Sequence, residues 1–150
     1  MPPGLVGVVS SAEGVAVTVP VGDDRWRVVV ADDDSDIRLL MEIAVRKAGM
    51  DLVAGAEDGE GALAAIRRTR PTLAVLDVSM PGMTGLDVCR EVRDDPAVSG
   101  TTILVLSAGV DDASKEAALA AGADEFMSKP FSPRALAARL ATIASGEPAP

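Results

Sequence analysis

This 150-residue sequence predicts an α/β fold built on a doubly wound parallel sheet, and three observations lead there. From Trp26 onward, apolar strand-like runs alternate with helical patterns five times, the signature of a five-stranded parallel sheet with helices on both faces. Four of those runs stop at chemistry-bearing residues: Asp33 after Val28 to Ala31, Asp77 after Leu73 to Leu76, Ser107 after Ile103 to Leu106, and Lys129 after Phe126 and Met127. Ligands of open α/β sheets bind beyond the carboxyl ends of the strands, so carboxylates, a hydroxyl and an ammonium converge at one edge. A hydrophobic content of 48% over this length is enough for one packed core and hardly for two.

The elements follow in order. Residues 1–24 are rich in Gly, Val, Pro and Ser, and Pro20 and Gly22 detach them from the rest; they are expected to form a disordered leader. The alternation of Val15, Val17 and Val19 leaves open an added edge strand. After the first core strand, Ser35 or Asp36 can cap a helix. Ile37, Leu40, Met41, Ala44 and Ala48 recur along it at three- and four-residue steps, and Gly49 supplies a left-handed stop. A strand from Leu52 to Ala56 leads to a second helix, capped by Asp58 and carrying Leu63 and Ile66. It ends in Arg67, Arg68 and Arg70 before Pro71, a solvated helix terminus where the dipole favours cations. A third helix is expected from about Gly85 to Arg93 and a fourth from Ala113 to Ala121 with Gly122 as its stop. The last begins near Ser132 and Pro133 and buries Leu136, Leu140 and Ile143. A domain over residues 25–145 and a short tail over 146–150 complete the division.

Composition excludes several classes of function. A net charge of −9 and a pI near 4.4 offer no basic face to release counterions, so direct nucleic-acid contact is not expected. With no histidine, triads using a histidine base, histidine-ligated zinc and a phosphohistidine-donor role all fall away. Cys89, the single cysteine, cannot form an internal disulfide and reads as a helix packing position among Leu86, Val88 and Val92 in a reducing compartment. No apolar stretch approaches ~18 residues and no cation precedes Arg25, so neither a membrane span nor a secretory signal is expected and the cytoplasm is the default.

Two motifs carry the chemistry. In Ala31-Asp32-Asp33-Asp34-Ser35-Asp36, crowded carboxylates disfavour one another's ionised forms unless a cation neutralises them, and hard oxygen ligands suit Mg2+. The alternative use, capping the next helix, suits Asp34 and Asp36 but leaves the pair nearest the strand unexplained. In Leu76-Asp77-Val78-Ser79-Met80-Pro81-Gly82-Met83-Thr84-Gly85, an acid at a strand end precedes a glycine-rich turn, which leaves Asp77 fixed but reachable. Such a carboxylate can attack phosphorus and give an acyl phosphate when a metal offsets the charge on the transferred group. Ser107 can donate a hydrogen bond to a phosphoryl oxygen, and Lys129 can supply a point charge.

These motifs, with Leu106-Ser107-Ala108 and Ser128-Lys129-Pro130-Phe131, resemble those of receiver domains of two-component response regulators, over roughly Arg27 to Ala144. The resemblance implies a flavodoxin-like sheet of order 2-1-3-4-5. It makes Asp77 the phosphoacceptor, Asp33 and Asp77 direct Mg2+ ligands, the Ser79 backbone carbonyl a further ligand, and Asp32 a ligand through water. Lys129 pairs with the phosphoryl oxygens and its bond to Pro130 is expected to be cis. Ser107 and Phe126 form the switch, Phe126 turning inward when Ser107 moves toward the phosphate; the other reading of Phe126 is a permanently buried core side chain. Ser79 stands where many receivers carry a longer side chain, leaving room for water near the acyl phosphate.

The implied partners are a sensor histidine kinase or histidine phosphotransfer protein, and a downstream protein bound by the face of the fourth helix, fifth strand and fifth helix. A homodimer through that face is also open. Catalysis is confined to the chain's own phosphorylation and dephosphorylation. Two other readings stand beside this one: a phosphorelay intermediate passing the group to another histidine, and a non-signalling α/β binding domain. A phosphatase-type hydrolase ranks last, because its general-acid Asp two residues past the nucleophile is replaced by Ser79.

Overall fold

The computed structural model describes residues 7–10, 16–19, 26–109 and 111–145. Five strands, β1 (Arg27–Ala31), β2 (Asp51–Ala56), β3 (Leu73–Asp77), β4 (Thr102–Ser107) and β5 (Glu125–Ser128), form one sheet in the order β2-β1-β3-β4-β5, every pair parallel. Five helices follow them: α1 (Ser35–Lys47), α2 (Gly59–Thr69), α3 (Gly85–Asp94), α4 (Asp112–Ala121) and α5 (Pro133–Ser145). This is the expected 2-1-3-4-5 arrangement.

Successive strand residues point to opposite faces, and the core divides accordingly. Val28 and Val30 of β1 pack with Met41, Ala44 and Val45 of α1 and Leu136 and Leu140 of α5. Val29 and Ala31 pack instead with Ile66 of α2, Val88, Cys89 and Val92 of α3, and Ala118 and Ala121 of α4. Both faces are covered, which is why the strands read as continuous apolar runs. Parallel register, with Ala31 beside Leu76, Asp77 beside Leu106 and Ser107 beside Ser128, brings the carboxyl ends of the central strands level. That alignment gathers the polar residues beyond them.

Several ends differ from expectation. α1 is capped by Asp34, whose carboxylate accepts from the N–H groups of Asp36 and Ile37, whereas Ser35 and Asp36 already lie inside the helix. Asp34 wins because it occupies the extended residue just before the first turn, from which a short side chain reaches back to the second and third helical N–H groups. Gly49, at φ 78, is the left-handed residue as expected, one place beyond the cap residue Ala48. α2 ends on Arg70 itself, held left-handed at φ 47, with Pro71 following. Arg67 is less free than a solvated terminus implies, since its guanidinium pairs with Asp95 at 3.0 Å. Ile143 is only partly buried.

Most of the leader, and the tail over 146–150, lie outside the described residues, as does Val15. Gly7–Ser10 and Ala16–Val19 pair antiparallel in a separate two-stranded sheet, so the strand holding Val17 and Val19 does not join the main sheet as an edge. Local pairing closes a much shorter loop than long-range pairing does.

Candidate functional site: an acidic crevice at the carboxyl edge of the sheet

Asp32 leaves β1, Asp77 ends β3, Ser107 ends β4 and Lys129 leaves β5. The Lys129 ammonium lies between two carboxylates, 2.8 Å from Asp32 Oδ2 and 3.0 Å from Asp77 Oδ1. Both acids are almost wholly buried, with side chains 1% and 5% exposed. Asp33 stands exposed at the mouth, yet one oxygen each from Asp32, Asp33 and Asp77 fall within 4.8 Å of one another. Three carboxylates cluster where one ammonium pairs with two of them, so the crevice carries a net negative charge. An all-oxygen donor set of this charge fits a hard divalent cation such as Mg2+.

Burial pushes the Asp77 carboxyl above its ordinary value, helped by the neighbouring Asp32 and opposed by the Lys129 hydrogen bond. Burial works against the charged form of Lys129 as well. Its hydrogen bonds to Asp32 and Asp77 outweigh that effect and hold the ammonium above its usual range. Asp77 is therefore a carboxylate whose charge Lys129 compensates only in part.

The loop after β3 is shaped by close backbone contact. Gly85 donates to the Val78 carbonyl at 3.0 Å, and a Cβ on Gly85 would collide with the Asp77 carbonyl, so only glycine fits. Thr84 and Asp87 then close a reciprocal capping box on α3. Ser79 sits exposed in this loop, two residues past Asp77.

Ser107 is joined to the cluster through the backbone: its carbonyl accepts from the Lys129 N–H at 2.7 Å, while its hydroxyl oxygen accepts from Gly109 N–H at 3.0 Å. The hydroxyl makes no hydrogen bond to the acids. Lys129 is followed by a cis bond to Pro130, as expected. Phe126, paired in register with Val105, is partly buried and packs against the α2–α4 side of the core. Cys89 is fully buried and burial pushes its thiol up to about 11, consistent with the packing role expected of it.

One neighbour of the cluster escaped sequence reasoning. Arg38, in the first turns of α1, donates from its guanidinium to the Asp32 carbonyl at 2.8 Å. A lone arginine in a helix carries no local signal of such a contact.

A doubly wound sheet of this strand order, with an acid cluster and a lysine at its carboxyl edge, has the architecture of a receiver domain. The family model for the response regulator receiver domain matches residues 28–141, and the chain belongs to that family. It is 42% identical over 116 residues to the DNA-binding response regulator MtrA of Mycobacterium tuberculosis, covering 77% of this chain and 49% of that protein. The chain thus spans about half the length of the curated relatives it matches. Among solved structures, the signal receiver domain of NarL from M. tuberculosis aligns with a TM-score of 0.75 at 33% identity, covering 82% of this chain and 98% of that one. The chemotaxis response regulator CheY4 of Vibrio cholerae aligns at 0.72 and 32%, covering 77% and 96%. DNA binding is named for a relative twice as long, so the acidity-based expectation of no direct nucleic-acid contact draws no support from it. Among the described residues no helix is long and apolar enough to cross a membrane.

Proposed function

We propose that this chain is a Mg2+-dependent phosphoacceptor in two-component signalling, with Asp77 receiving a phosphoryl group from the phosphohistidine of a sensor kinase or phosphotransfer protein. The observation that carries the reading is Lys129 shared between buried Asp32 and Asp77 with Asp33 alongside. The Asp77 carboxylate attacks phosphorus, the O–P bond forms as the donor's N–P bond breaks, and the histidine nitrogen leaves with the electron pair. Asp33, Asp77 and the Ser79 carbonyl would hold the ion directly, and Asp32 through water. Bound there, Mg2+ supplies charge neutralisation for the transferred group.

The chain's own residues do the rest. Lys129 offsets the negative charge that burial makes costly on Asp77 and is within reach of phosphoryl oxygens bound there. Ser107 exchanges its Gly109 contact for a phosphoryl oxygen, and Phe126 has room to turn because it is only half-buried. The responsive face is that of α4, β5 and α5. α4 meets the core through small residues, Ala118 and Ala121, and leaves Leu119 43% exposed, so little apolar burial opposes its displacement. A downstream protein, or a second copy, that prefers one arrangement of this face shifts the equilibrium. Water entering past the short Ser79 side chain ends the signal by hydrolysing the acyl phosphate. The domain extends over residues 25–145 and works in the cytoplasm, where its kinase partners present phosphohistidine.

Intact-mass spectrometry after incubation with acetyl phosphate tests the proposal. One phosphoryl adduct is expected on the wild type with Mg2+ and none with chelator or in Asp77→Asn. An adduct that persists in Asp77→Asn, or that forms without a divalent cation, refutes it.

A further inference from the structure

All polar groups of Asp32 are held. Its N–H donates to the Ala56 carbonyl at 3.1 Å, Oδ1 accepts from Asp34 N–H at 2.9 Å, Oδ2 accepts from Lys129, and its carbonyl accepts from Arg38. Asp33, next in the chain, is the opposite case: among the described residues no hydrogen bond or ion pair holds its exposed carboxylate. The direction in which Asp33 leaves the backbone therefore depends on the peptide plane joining it to Asp32. The Asp32 carbonyl lies in that plane, and Arg38 is the side chain that holds it.

Arg38 is well placed for this. It lies one helical turn beyond the cap residue Asp34, and its backbone N–H donates to the Asp34 carbonyl at 2.9 Å. Its stem runs past Gly55 of the edge strand β2, where an added Cβ would lie 3.7 Å from Arg38 Cδ and 3.0 Å from Glu42 Oε2. Among the described residues it makes no ion pair with an acid, although a guanidinium free to choose would be drawn to a carboxylate. Neutral backbone geometry, rather than charge pairing, is what it contributes.

We infer that Arg38 is a positioning residue for the cation site: by fixing the Asp32 carbonyl it orients the Asp32–Asp33 peptide, so that the Asp33 carboxylate faces Asp77 before any ion arrives. The inference rests on the phosphoacceptor reading. Preorganisation of this kind tightens binding of the ion without altering the phosphoryl step once the site is filled.

The test compares the full chain with Arg38→Met, which keeps an apolar stem, and Arg38→Lys, which keeps a cationic N–H donor group. Mg2+ affinity is read by isothermal titration calorimetry, and the rate of acetyl phosphate labelling is read across a Mg2+ titration. Arg38→Met should weaken Mg2+ binding roughly tenfold, a loss of about 1.4 kcal/mol, and raise half-saturating Mg2+ by the same factor, with the rate at saturating Mg2+ unchanged. Arg38→Lys should recover most of the affinity. Affinity within twofold of wild type in Arg38→Met overturns the inference. So does a loss that lysine fails to rescue and that accompanies a comparable fall in melting temperature in chelator, which marks a merely structural role. A wild type that binds no Mg2+ overturns the phosphoacceptor reading itself, and this inference with it.

Discussion

Replacing Lys129 by Met removes the one cation, among the described residues, in hydrogen-bond contact with two buried carboxylates, while keeping a stem of similar length. Asp32 and Asp77, with side chains 1% and 5% exposed, then face each other uncompensated. Breaking a buried ion pair by deleting one partner costs about 3–5 kcal/mol. The crevice opens to water at Asp33, and Asp77 can relieve part of the cost by binding a proton, so about 2–3 kcal/mol is expected at pH 7 in chelator. For a domain of this size that lowers the melting temperature by roughly 6–12 °C. Asp77 already titrates above its unfolded value, so its ionisation destabilises the fold: stability is fully present below pH 3.8 and is lost as pH rises through the folded-state value. Losing Lys129 moves that value further up, and the variant's deficit should shrink markedly between pH 7 and pH 4. Calorimetric melts of both proteins in chelator at the two pH values, repeated with saturating Mg2+, decide it. A deficit below about 2 °C at pH 7, or one equal at both pH values, refutes the view that Lys129 compensates a strained pair. Mg2+ at a hundredfold excess over Kd should return about 2.7 kcal/mol wherever the carboxylates can still hold it.

Asp33→Ala should raise the melting temperature in chelator by removing one of three crowded charges, and should abolish the stabilisation Mg2+ gives the wild type; thermal melts with and without the ion check both. The Asp87 carboxyl is held below its usual value by the Thr84 backbone N–H and hydroxyl. Its contribution is therefore present above about pH 3.8 and lost as pH falls through the lower folded-state value. Asp87→Asn should accordingly flatten the acid limb of stability against pH, measured by urea unfolding between pH 2.5 and 5. Cys89, buried and with its thiol pushed up to about 11, should resist a thiol-reactive chromophore at pH 8 in the native protein and react fully in denaturant.

The five strands, their capped helices and the polar residue after each central strand were readable because each depends on neighbours within one turn or one strand. Continuous apolar runs in the strands, period-3.6 apolar patterns in the helices, a left-handed Gly49 and Gly122, and Asp58 ahead of α2 are local chemistry, and the structure keeps them. Reading failed where several short polar residues competed for one job, as with Asp34 over Ser35 and Asp36 at the start of α1. It also failed where one long side chain served distant acceptors. Arg93 binds the carbonyls of Ser99, Thr101 and Gly122 and the Asp124 carboxylate, joining α3 to the loops before β4 and β5. Nothing in the pattern around residue 93 announces this.

Residue order alone specified a doubly wound parallel sheet, the kinds of groups at its carboxyl edge and the family to which they belong, because strand-end polarity and helix caps are written within a few positions. Which of those groups meet was settled by packing. Lys129 reaches Asp32 across 97 residues only because parallel register levels the strand ends. Distances of a few ångströms between residues far apart in the chain are products of the whole folded sheet, and no short stretch of sequence encodes them.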